Sequence, residues 1–168
     1  MTLPNLLTLL RLGLVPVVVL GLEWPGHTIL ALVGFAIASG TDWIDGYLAR
    51  KLNQVTALGS LLDPLADKVL VTAALLGMVH LALIPAWSVT VVLSREFLIT
   101  GLRTAAINKG IVLSASMSGK IKTVLQMAAI IALLVGWMPL GTALWWAAVA
   151  VTIYSGVEYL WQTRGIWV

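Results

Sequence analysis

The sequence predicts an all-α integral membrane protein, a single bundle of six transmembrane helices with both termini on the cytoplasmic side. Three observations carry this. Of 168 residues, 60% are hydrophobic and 10% are charged, whereas soluble domains carry about 25% charged residues; the mean hydropathy is +1.01. The apolar residues gather into six runs of about 20, the length that crosses a bilayer core. The basic residues collect on alternate connections. Six such spans consume most of the chain, so residues 1–168 read as one membrane domain with no soluble domain attached. Zero cysteines exclude disulfides, thiolate nucleophiles and cysteine metal sites.

The runs cover residues 3–22, 28–49, 58–81, 84–107, 117–135 and 140–161. Open strands cannot satisfy their backbone in lipid, so these are helices. The first run resembles a signal peptide in being apolar with an early charge. It lacks a small-residue cleavage pattern and is long enough to span, so it is read as the first helix. The connections at 23–27, 83–86 and 136–139 contain no Lys or Arg, and Trp24, Trp87 and Trp137 mark them as an outer aromatic belt. The opposite set carries Arg50, Lys51, Lys109 and Arg164, which places it in the cytoplasm. His27 and His80 fall on the outer side and are not expected to ligate anything.

Charge inside the spans is the informative feature. Asp42 and Asp45 lie near the cytoplasmic end of the second helix, and Asp63 and Asp67 lie in the first turns of the third. Four carboxylates there cost up to about 10 kcal/mol on insertion scales. Their mutual repulsion needs a cation between them. Asp42, Asp45 and Gly46 share one helix face, and Gly59, Asp63 and Asp67 repeat every fourth residue. A hairpin through residues 51–57 would bring these stripes together. Pro64 is tolerated if it falls in the first turn, where its missing N–H is needed least. An all-oxygen site suits Mg²⁺ or Mn²⁺, and four shared carboxylates can hold two ions, which favours phosphoryl transfer.

The full string, Asp42-x2-Asp45-Gly46-x2-Ala49-Arg50-x8-Gly59-x3-Asp63-x3-Asp67, resembles the CDP-alcohol phosphotransferase family in all eight defined positions. The flanks, Asn5-x2-Thr8-x2-Arg11, the stretch from Ser94 to Arg103, and Gly119-Lys120-Ile121-Lys122-Thr123 with Gln126, are similar to members whose acceptor is sn-glycerol 3-phosphate. The resemblance implies an enzyme of phospholipid biosynthesis that joins an alcohol to the phosphatidyl group of CDP-diacylglycerol and releases CMP. It implies that Asp42, Asp45, Asp63 and Asp67 hold two divalent cations and that Asp67 is also the general base. It also implies that Arg50 contacts the diphosphate, that Gly46, Ala49 and Gly59 line the nucleotide, and that the protein is a homodimer. The setting implied is the bacterial-type inner membrane, crossed several times, with the active site facing the cytoplasm.

An anionic acceptor calls for a second basic site. Arg95, Arg103, Lys120 and Lys122 are its candidates, with Arg11 a further one. Lys120 and Lys122 lie about 200° apart on a helix, and Lys122 shares a side with Gly119 and Gln126. Spacing alone pairs Glu96 with Arg103, in competition with phosphate binding. Asn5, Thr8 and Arg11 either line the nucleotide pocket or anchor the first helix, and Glu158 has no evident partner. Alternative acceptors are inositol phosphate and phosphatidylglycerol. A cation channel or carrier would use the carboxylates but has no need of Gly46, Arg50 and Gly59 at fixed distances, and its acids would continue across the bilayer. The net charge of +3 is then explained by topology and capture of anions, and no nucleic-acid partner is expected.

Overall fold

A computed structural model describes the backbone of residues 3–52, 57–111 and 116–167, and the side chains of residues 6–41, 62, 64–111 and 116–165. The described residues form six α-helices and no strand: α1 (Leu3–Glu23), α2 (Thr28–Leu52), α3 (Ala57–His80), α4 (Ala86–Asn108), α5 (Met117–Leu134) and α6 (Met138–Trp167). Each apolar run of the sequence has become one helix. The chain divides into two compact units, residues 1–83 and 84–168.

In the first unit α1 is the shared partner, packed along both α2 and α3. Small residues let the backbones close up, the usual means of helix association where lipid competes for every apolar side chain. A Cβ at Gly21 would lie 2.6 Å from the backbone nitrogen of Ala31 on α2, and one at Gly77 on α3 would lie 2.9 Å from the Leu22 Cβ on α1. Val18, Leu22, Phe35, Leu70 and Leu75 fill the space between.

In the second unit α6 takes the central role, packed along α5 and crossing α4. Gly136, at φ 85°, ends α5 in a left-handed turn that an L side chain resists, and Gly141 then brings α6 against Leu133. Ser116 caps α5 by accepting the Gly119 N–H at 3.2 Å. Trp145, 1% exposed, donates its indole N–H to Ser88 Oγ at 3.0 Å, and that hydroxyl donates to the Pro85 carbonyl at 2.7 Å. Hydroxyls elsewhere return to their own helix: Thr152 to the Ala148 carbonyl, Thr163 to Tyr159, Thr41 to Ala38.

Two expectations change. α6 does not end at residue 161. It runs on to Trp167, because loss of hydrophobicity does not break a helix: Gln162 bonds Glu158, and Arg164 lies 4.8 Å over the Trp161 ring near the negative helix end. Pro64 is the eighth residue of α3, past the first turn, so the Ser60 carbonyl lacks its usual donor.

Three helical segments among the described residues are long and apolar enough to cross a membrane: Leu6–Glu23, Met117–Leu134 and Met138–Gly165. α4 has the length, but every 18-residue stretch of it carries Arg95, Glu96 and Arg103. Trp24, Trp87 and Trp137 are exposed, as belt residues should be. Replacing Gly21 by Ala forces a methyl onto the α2 backbone and should lower stability by about 1–3 kcal/mol. Gly13→Ala, where a Cβ meets nothing within 4 Å, should not. Thermal midpoints of the two variants in detergent check this.

Candidate active site

The signature aspartates stand on two neighbouring helices, Asp42 and Asp45 on α2, Asp63 and Asp67 on α3, each pair within about one turn. The side chains of Asp42, Asp45, Gly46, Ala49, Arg50, Gly59, Asp63 and Asn5 lie outside the described residues, as do residues 53–56 of the expected hairpin connection. Asp67 is the one signature aspartate whose side chain is described, and at 41% exposure it is open to a ligand.

Arg11 explains how α1 enters this site. Its guanidinium is 0% exposed and donates from Nη1 to Asp67 Oδ1 at 2.7 Å and from Nε to the Ala38 carbonyl at 3.3 Å. Ala38 is one turn before Asp42, so a single planar cation on α1 reaches both aspartate-bearing helices. Thr8, one turn earlier on α1, is also fully buried. Spacing left Arg11 between a phosphate ligand and a helix anchor; the structure engages it with Asp67 and Ala38. No sequence signal could have found this, since the two partners are 56 residues apart.

In the second unit two of the expected acceptor residues, Arg95 on α4 and Lys122 on α5, draw together. Lys122 on α5 is 3% exposed and pairs with Glu96 Oε1 on α4, the same oxygen that Arg95 Nη1 reaches at 2.9 Å. Lys122 is thus the inward lysine that the helical angle selects, and Lys120 is exposed. Spacing alone pointed Glu96 at Arg103. The structure gives Glu96 to Arg95 and Lys122, and sets the Arg103 guanidinium 5.5 Å over the ring of Tyr159. Arg95 packs closely against one glycine and passes a second at ordinary contact distance. A Cβ at Gly156 on α6 would come within 3.1 Å of its Cγ, and one at Gly119 on α5 within 3.8 Å of its Nη2. Glu158 also acquires partners, Ser118 Oγ across from α5 and Gln162 along its own helix at 3.3 Å. The chemistry is therefore an acid-rich pair of helices in one unit and, in the other, a buried lysine and a partly buried arginine gathered on one glutamate.

Comparison with known proteins fits that division. The family model for CDP-alcohol phosphatidyltransferase matches residues 1–154, which takes in the whole aspartate string and the candidate basic residues. The chain belongs to the CDP-alcohol phosphatidyltransferase family. Among curated members, a Bacillus subtilis protein named CDP-diacylglycerol–glycerol-3-phosphate 3-phosphatidyltransferase is 44% identical, the match covering 94% of this chain and 92% of that protein. Proteins of the same name from Salmonella typhimurium and Rickettsia bellii are 39% and 36% identical, over 96% and 94% of this chain and 94% and 92% of their own lengths. As a member of the CDP-alcohol phosphatidyltransferase family, the chain is an enzyme with a transferase's site, and its apolar helices fit a multi-pass membrane protein.

Arg11→Ala should destabilise the first unit by about 1–2 kcal/mol, a value kept low because solvent screens the half-exposed Asp67. Arg11→Lys should recover part of that loss, because it restores the charge without the planar fork. A double-mutant cycle with Asp67→Ala, read as thermal midpoints, should give a coupling term; strictly additive losses would refute the clamp.

Proposed function

We propose that this chain transfers the phosphatidyl group of CDP-diacylglycerol to sn-glycerol 3-phosphate, forming phosphatidylglycerophosphate and releasing CMP. The observation that carries the reading is the eight-position aspartate string on α2 and α3, set within a chain that matches glycerol-3-phosphate 3-phosphatidyltransferases along nearly its full length. The whole of residues 1–168 acts as one catalytic domain of six spans. Both termini and the site face the cytoplasm of the inner membrane, where both substrates are at hand, and two copies pair as a homodimer. Most of the charged residues within α2, α3 and α4 are ones this reading assigns to the site.

The donor set fits Mg²⁺ or Mn²⁺: it is all oxygen, drawn from two helices in contact, and Asp67 is accessible. Asp42, Asp45, Asp63 and Asp67 would hold two such ions, which when bound neutralise the diphosphate and stabilise the departing CMP. Arg50 contacts the diphosphate, and Gly46, Ala49 and Gly59, with Asn5 and Thr8, line the nucleotide. Asp67, fixed by Arg11, takes the proton of the glycerol hydroxyl as that oxygen bonds to the phosphatidyl phosphorus and the bond to CMP breaks. Arg95, Arg103 and Lys122 hold the acceptor phosphate, with Lys120 at the mouth. Arg11, which sequence spacing also offered as a phosphate ligand, serves Asp67 instead. Most of the catalysis in such a transfer is positioning and charge stabilisation.

Purified protein given CDP-diacylglycerol and Mg²⁺ should release CMP when sn-glycerol 3-phosphate is added, and far less with inositol phosphate or phosphatidylglycerol. No stimulation by glycerol 3-phosphate would sink the choice of acceptor. Asp63→Asn should lower CMP release by roughly 10²–10³-fold, the scale of losing one electrostatic stabiliser, while leaving the helical circular dichroism intact. Retained activity would contradict the metal assignment.

A further inference from the structure

Residues 84–168 contain buried polar atoms with no hydrogen-bond partner among the described residues: Arg95 Nε, Gln126 Nε2 and the Tyr159 hydroxyl. Each of these can donate, and the first two can do nothing else, so what they lack is acceptors. Buried polar groups are nearly always satisfied, and an exception calls for a reason.

Tyr159 is the most informative of the three. It is 2% exposed on α6. Its ring face lies under the guanidinium of Arg103 on α4, at 5.5 Å. About one turn back along α6 is Gly156, against which the stem of Arg95 is packed. Two arginines of α4 thus reach neighbouring turns of α6, Arg103 at Tyr159 and Arg95 at Gly156. For packing and for the contact with Arg103, a phenylalanine would serve equally, since both use only the ring. The hydroxyl is an added polar atom, buried and without a hydrogen-bond partner among the described residues.

We infer that Tyr159 is a substrate-binding residue: its ring holds Arg103 in place, and its hydroxyl donates a hydrogen bond to a phosphate oxygen of the acceptor. An oxygen-rich anion supplies the acceptor that the Tyr159 hydroxyl lacks among the described residues. Residue 159 lies beyond the stretch matched by the family model, and the assignment comes from burial and contact alone. It rests on the reading that Arg95, Arg103 and Lys122 hold the acceptor phosphate. The phosphate of glycerol 3-phosphate and the diphosphate of CDP-diacylglycerol share this chemistry, so the test separates them.

Tyr159→Phe in the full-length enzyme removes only the hydroxyl. The KM for sn-glycerol 3-phosphate should rise about five- to tenfold, with the KM for CDP-diacylglycerol unchanged. The thermal midpoint should not fall, because the lost hydroxyl had no bond within the protein. Calorimetric titration of glycerol 3-phosphate, without CDP-diacylglycerol, should show the same weakening. An unchanged KM for glycerol 3-phosphate overturns the proposal, as does a rise confined to CDP-diacylglycerol; so does a fall in the thermal midpoint with KM unchanged, which would make the hydroxyl structural. Lys122→Met separates the two levels of the argument. If it raises the glycerol 3-phosphate KM and Tyr159→Phe does not, the tyrosine is refuted and the acceptor site stands. If neither variant changes that KM, both are refuted.

Discussion

A charged or polar group inside a hydrocarbon layer has no water to turn to, and everything specific about this chain follows from how that shortage is met. Backbone groups meet it by folding into helices. Threonine and serine hydroxyls meet it by bonding carbonyls of their own helix, as Thr152 and Thr163 do. Ionised side chains reach further: Arg11 on α1 finds Asp67 and the Ala38 carbonyl, Lys122 on α5 finds Glu96 on α4, and Arg95 joins that same Glu96 along its own helix. In each unit the ion pair that joins two helices, Arg11 with Asp67 and Lys122 with Glu96, therefore also involves candidate functional groups, and stability and chemistry draw on the same residues.

The two units solve the problem with opposite signs. In residues 1–83 the described aspartate of the string, Asp67, is answered by a deeply buried arginine on the helix that packs against both of its neighbours. In residues 84–168 two cations, Arg95 and Lys122, meet one glutamate, and α6 contributes a glycine beside Arg95 and a tyrosine ring under Arg103.

Much of this was legible beforehand, for identifiable reasons. The six helices follow from apolar length, and the aspartate string is readable because its chemistry demands fixed spacing along two helices. Lys122 could be preferred over Lys120 from the helical angle alone. The pairings that failed to show are those set by how one helix is rotated against another: Arg11 with Asp67, Lys122 with Glu96, Glu158 with Ser118, Trp145 with Ser88. Hydropathy located the end of the apolar stretch in α6 but not the end of the helix, because capping and side-chain contacts such as Arg164 on Trp161 decide where a helix stops. Tyr159 carried no motif at all; only its burial singles it out.

Arg95 and Lys122 converge on the same oxygen of Glu96 rather than on one each. The lysine ammonium has therefore already shed most of its hydration when the chain folds, and an incoming anion does not have to strip it again. Under the proposed role of Arg95 and Lys122 in holding the acceptor phosphate, binding there is an exchange of one carboxylate oxygen for another anion's oxygen, with the resident glutamate ready to return. Such a swap holds its guest only by the difference between two similar attractions. That favours rapid loading and unloading over tight retention, a useful property in a site that must be refilled at every turnover.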